Sequence, residues 1–241
     1  MVAKLQRQVG QVLTDPMAEI VQAVRQSEAI HVDENGWREA GQKAWLRVGA
    51  TAKATAFGVH RSRGHNALEA LLDQDPGGDR VIFSDRFPTY TRAPNQQLCW
   101  AHLRRDMQAM IDRASGGESV GRRLLEQSKR ISIWWRRPCE RSIARPTLRS
   151  SVSGLKGIVS LLLREGSTCG CAATARVCRR TLEVEKHLSA FAEGVAPDNN
   201  AAGRALRHGV VWRELSLGTA SGAGRRFVER LLSVVETCRQ G

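Results

Sequence analysis

At 241 residues the chain is long enough for one large domain or for a core carrying a sizeable insertion, and 41% hydrophobic residues exclude disorder as its main state. Lysine and arginine number 37 against 24 acids, a net charge of +13, which points to a polyanionic partner, nucleic acid first, with a solvated basic surface as the plain alternative. The best apolar run, residues 157–163, falls far short of the ~20 residues a helix needs to cross a bilayer, and no stretch reads as a signal peptide, so no membrane partner is expected.

In chain order, Met17, Ile20, Val21 and Val24 recur at helical spacing and predict a helix over 16–27, begun by Asp15-Pro16. A short extended run over 29–33 ends on Asp33. Residues 44–50 alternate around Trp45 and Arg47, with Leu46 and Val48 on the other face, and 55–60 is similarly strand-like. A turn near 39–41 and a short link near Thr51 would join these three strands. A helix follows over 66–72, then a buried-strand run, Val81-Ile82-Phe83, beside Asp85. Residues 97–100 form another short strand running into a helix from about Ala101.

From 114 to 193 strand signals largely vanish, and the text turns helical and arginine-rich, with glycine/serine breaks at 115–117 and 166–167. Between 101 and 150 there are 12 basic and 5 acidic residues, so roughly half the net charge sits in a fifth of the chain. Arginine suits phosphate because its planar fork donates two hydrogen bonds at once. Trp134-Trp135 beside Arg136-Arg137 fits packing within this helical segment better than a clamp on DNA. After 197, Asp198-Asn199-Asn200 is helix-capping chemistry, and Leu231, Leu232, Val235 and Cys238 mark an amphipathic helix over 228–238. The division expected is a helical segment at 1–28, the first part of a core at 29–113, a basic helical insertion at 114–193 and the helical end of the core at 194–241. Cys99, Cys139, Cys169, Cys171, Cys178 and Cys238 are scattered, as reduced thiols of a cytosolic protein are. The spacing of Cys169, Cys171, Cys178 and His187 matches no standard zinc pattern.

Asp33 and Asp85 carry the chemical interest. Loops at the carboxyl ends of strands commonly hold active sites, and two aspartates on neighbouring strands repel unless a cation intervenes. Hard oxygen ligands of this kind hold Mg²⁺, and two such ions stabilise both the attacking and the leaving oxygen of a phosphoryl displacement. Either aspartate alone would as readily cap a turn.

The segments HVDENGW (31–37), SRG (62–64), SDRFPTY (84–90), QLCWAHLRRD (97–106), DNNAAGRALR (198–207), VVWRELSLGT (210–219) and GRRFVERLLSVVETCRQ (224–240) occur in one order, and the set resembles the transposases of insertion-sequence family sixty-six. The resemblance implies an α/β fold, a ribonuclease H-like mixed sheet flanked by helices and interrupted by an all-helical insertion. It implies DDE-type DNA transposition dependent on Mg²⁺ or Mn²⁺, with DNA as partner, a homo-oligomer on paired ends, and a bacterial cytoplasmic protein that joins the nucleoid when DNA-bound. Asp33 and Asp85 match the first two acids of its triad, and Cys99 and His102 fall on its Cys-x-x-His signature, where His102 is either accessory to the chemistry or a helix-capping histidine. Arg204, Arg207, Arg213, Arg225 and Arg226 become candidate DNA contacts.

Two departures qualify the resemblance. Gly203 stands where the third acid, a glutamate, belongs, so the site would lack a ligand, and strand transfer would be impaired unless Asp198, Glu214 or Glu229 replaced it. Asp198 lies five positions earlier, about 140° round a helix. Glu214 also replaces the lysine usual there. The chain also begins just upstream of the core, so the zinc-binding and helix-turn-helix regions that read transposon ends are not expected in it. A catalytically dead DNA-binding relic is therefore the alternative function, and a basic helical structural protein fits the motif order poorly.

Overall fold

The computed structural model describes residues 2–73, 80–90, 93–139, 145–190 and 196–240. Strand-forming residues concentrate between 29 and 60, where β-branched and aromatic side chains alternate with polar ones. Three strands form there: β1 (Ala29–Glu39), β2 (Gln42–Ala50) and β3 (Thr55–His60), successive antiparallel neighbours. Ala40 and Gly41, both at positive φ (50° and 74°), make the two-residue turn between the paired Glu39 and Gln42, the backbone that suits the twist of a tight hairpin. β1 runs well past Asp33. Asn35-Gly36, a pair that by itself favours a turn, stays extended because both residues pair with β2 and because Arg213 donates to the Asn35 side chain (2.7 Å) and to the Gly36 carbonyl (2.9 Å).

The chain divides into two units, Met1–Pro94 with Asn200–Gly241, and Asn95–Asn199. In the first, α1 (Val2–Val12) and α2 (Thr14–Arg25) precede the hairpins. After α3 (His65–Leu72), β4 (Val81–Ser84) lies parallel to β1, giving the order β3-β2-β1-β4. The alternation of β2 sends its two faces to different cores. Ala44, Leu46, Val48 and Ala50 pack with Ala202, Ala205, Leu206, Val228 and Leu232 of α8 (Asn200–Ser216) and α9 (Gly222–Cys238). Gly49, on the other face, lets Val24 of α2 and Leu71 of α3 approach to 3.3 Å of where a Cβ would stand.

The second unit is helical apart from the three-residue β5 (Gln96–Leu98). Its helices are α4 (Trp100–Asp112), α5 (Glu118–Cys139), α6 (Arg145–Ser167) and α7 (Ala172–Glu183), with a 3-10 turn at Glu185–Leu188. It owns a separate core of Trp100, Leu103, Met110, Leu124, Ile131, Val159 and neighbours, and Trp134 and Trp135 pack against that core. The expected insertion at 114–193 lies within this unit. The unit also takes in α4, whose Leu103, Met107 and Met110 face α5 rather than the sheet, so it begins some twenty residues sooner than the change in sequence character suggests. Its ends meet: the Trp100 N–H donates to the Pro197 carbonyl (3.0 Å), and the Asn199 N–H donates to the Cys99 thiol (3.2 Å). Among the described residues no helix is long and apolar enough to cross a membrane.

Candidate functional site

The parallel pairing of β1 and β4 matches Ala29 with Val81, Ile30 with Ile82 and His31 with Phe83, whose rings stack at 4.1 Å. Two residues further along each chain in the same register stand Asp33 and Asp85. Both acids lie just beyond the last residues paired between β1 and β4, and both are partly exposed. Asp33, within β1, accepts the Glu34 N–H (2.9 Å), and Asp85, just past β4, accepts the Phe87 N–H (2.8 Å).

Asp33 pairs with Val48, so its side chain shares the sheet face that packs on α8. α8 runs along β1 in a readable order. Gly218, just beyond the helix, lies against the Arg38 carbonyl, and Gly209 lies against Leu46, which is paired with Asn35. Gly203, six residues before Gly209, stands on the first turn of α8. A Cβ at 203 would meet nothing within 4 Å.

The other acids weighed for the third place lie elsewhere in their surroundings. Glu214 is exposed, 3.6 Å from Arg213, on a groove of about 580 Å³ with Trp37, Lys43 and Leu217. Glu229 accepts the Val59 N–H (2.7 Å) on β3, where burial pushes its carboxyl above the ordinary value while that N–H and Arg225 pull the other way. Asp198 belongs to the helical unit. Among the described residues no group of three or more His, Cys, Asp or Glu side chains is placed to hold a metal ion. Two carboxylates fit the first two ligands of a divalent centre and do not complete a two-metal one.

Of the candidate DNA contacts, Arg204, Arg207 and Arg226 are exposed. Arg213 is spent on Asn35 and Gly36, and Arg225 on Glu39 (3.4 Å) and the Val59 carbonyl (3.4 Å). Cys99 and His102 sit in the helical unit. Cys99 is buried, its thiol pushed up by desolvation. His102, on the first turn of α4, lies 3.3 Å from Arg105.

Glu34, Arg47, Arg63 and Tyr90 form a cluster beside Asp85. Glu34, its side chain 1% exposed, takes the Tyr90 hydroxyl and lies 2.6 Å from Arg63 Nε and 3.8 Å from Arg47 Nε. Burial pushes its carboxyl above the usual value against the pull of Arg63 and Arg47, and burial lowers the Arg47 guanidinium while Glu34 opposes it. Arg47 also donates to the Arg63 (2.7 Å) and Gly64 (3.4 Å) carbonyls, which fixes the Ser62-Arg63-Gly64 loop over β1. Arg63 lies 4.0 Å from Asp85. The signals were present separately, as SRG, SDRFPTY and the alternating Arg47. Only the folded sheet brings positions 34, 47, 63 and 90 together.

Residues 1–226 match the profile of the Transposase IS66 family. The chain belongs to that family. Searches of the curated proteins and of the solved structures found no match. For an IS66-family transposase the segments matched take in both aspartates, the loop bearing Arg63 and the first turn of α8.

Proposed function

We propose that the chain is the core of a DDE-type transposase that acts on DNA by phosphodiester hydrolysis and strand transfer, and that it is impaired because Gly203 occupies the third acid position. The observation that supports the reading is the parallel pairing of β1 with β4, which ends two residues short of Asp33 and Asp85, with Gly203 on the first turn of α8, the helix packed on the sheet face that Asp33 shares. The order β3-β2-β1-β4, an antiparallel meander with β4 parallel to its first strand, supports a ribonuclease H-like assignment. Mg²⁺ or Mn²⁺ held by Asp33 and Asp85 would supply the charge stabilisation that phosphoryl transfer needs. The residues present orient two carboxylates and leave the third ligand out. A DNA-binding relic without chemistry is the second reading, and Gly203 is the observation that favours it.

The test is cleavage of supercoiled plasmid in Mg²⁺ or Mn²⁺ by the chain, by Gly203→Glu and by Gly203→Glu with Asp33→Ala. The expected result is a silent parent, nicking by Gly203→Glu and its loss in the double variant. A parent that cuts, and stops cutting with Asp33→Ala, would mean that another carboxylate completes the site. Silence from Gly203→Glu would leave the relic reading standing.

A further inference from the structure

Beside Asp85 the sheet carries a cation held in an unusual way. The Arg63 guanidinium carbon lies 3.7 Å from the Phe87 ring centroid and 4.8 Å from that of Trp45, so the fork is stacked against two aromatic rings. Its Nε is anchored to Glu34 (2.6 Å), and its side chain remains 33% exposed. Stacking and anchoring together remove most of the rotamer freedom that a free arginine loses on grasping an anion. Two guanidinium groups, Arg47 and Arg63, face the carboxylate of Glu34, and Arg47 is enclosed with its NH1 and NH2 given to backbone carbonyls. The second carboxylate nearby is that of Asp85, 4.0 Å from Arg63, so Arg63 is the exposed cation that a phosphate reaching Asp85 would meet. Trp45 in turn lies under Lys43 (Nζ 5.1 Å from its centroid), and Lys43 lines the groove shared with Arg38 and Arg213.

We propose that Arg63 is a phosphate contact for the nucleic-acid strand that reaches Asp85. The assignment rests on the reading of Asp85 as part of a DNA-processing site and adds to it a binding residue drawn from neither the exposed arginines of α8 and α9 nor the basic helical unit. A planar, preorganised donor beside a metal-binding carboxylate would fix the backbone phosphate next to the one under attack, where a single point charge on a flexible stem would not.

The experiment measures binding of a fluorescein-labelled short DNA duplex by anisotropy, on the full chain, across about 0.05 to 0.2 M salt. The proteins are the parent, Arg63→Met, Glu34→Gln, and the double variant of the two. Loss of one phosphate contact lowers the salt slope by about 0.9 and the affinity roughly five- to tenfold near 0.1 M salt. Arg63→Met is expected to lose both. The double variant removes the carboxylate as well, so a loss of affinity that came only from an unpaired Glu34 would be reversed in it, whereas the loss of a phosphate contact is expected to persist. If the double variant regains the parent's affinity, Arg63 acts only as the counter-ion of Glu34 and the inference fails. An unchanged slope in Arg63→Met also overturns it, leaving the DNA reading intact. A parent with no salt-dependent binding overturns the DNA reading itself, and this inference with it.

Discussion

Gly203 is a helix residue with empty space beside it, and that combination has a cost independent of chemistry. Glycine in a helix interior is ~1 kcal/mol worse than alanine, and glutamate ranks near the top of the scale. With nothing within 4 Å of the new Cβ, Gly203→Ala, which adds no charge beside the aspartates, is expected to stabilise the protein by roughly 0.5–1 kcal/mol, about 1–3 °C in melting temperature for a domain of this size. Calorimetry of the two proteins without metal checks this, and a fall in melting temperature would mean the space is not there. At this scale Asp33 and Asp85 were legible as acids following apolar runs, although β1 continues past Asp33 to Glu39. The Glu34–Arg63 contact was not, because its partners are 29 positions apart and meet only once β1 is paired and the SRG loop is pinned by Arg47.

Among the elements, α8 is held to β1 by backbone as much as by side chains. Gly218, at φ 103°, lies so close to the Arg38 carbonyl that a Cβ would overlap that oxygen, and the Ala40 N–H and Thr219 carbonyl pair at 2.7 Å alongside. Gly218→Ala is expected to cost about 3 kcal/mol, since a left-handed backbone and a backbone clash are imposed together. Chemical denaturation reads this, and a cost under about 1 kcal/mol would show that the loop yields freely. α9 is fastened to β3 by Glu229, whose carboxyl burial holds above its ordinary value of 4.5. The folded state binds that proton more tightly than the unfolded one. Glu229 therefore favours folding at low pH, and the contribution is lost as pH rises from 4.5 through the raised value. Glu229→Gln keeps an oxygen for the Val59 N–H and removes the titration. Its denaturation midpoint is expected to gain on the parent's as pH rises from about 4 to 8, and a constant difference would refute the assignment. The sequence located β3 at the bounds observed, since Thr55–His60 is short and cleanly delimited. It ended β1 at Asp33, whereas Asn35 and Gly36 stay paired with β2 and are tied by Arg213, nearly 180 residues away.

For the whole molecule, the uneven charge was legible, and so was the switch from strand to helix, because both are compositional. The extent of the helical unit was not, because α4 belongs to it through packing on α5, which leaves no mark in composition. That unit begins and ends at the same place, where Cys99 and Trp100 hold Asn199 and Pro197. An unpinned excursion of about a hundred residues would tax every contact between α8 and the sheet with about 4 kcal/mol of closure entropy. With its base tied, the excursion behaves toward the rest of the chain as a loop of a few residues. The helix bearing position 203 is then a near neighbour of the strand bearing Asp33 in the kinetic sense, and the excursion is free to lengthen, shorten or be exchanged for another without loosening the pairing of those two elements.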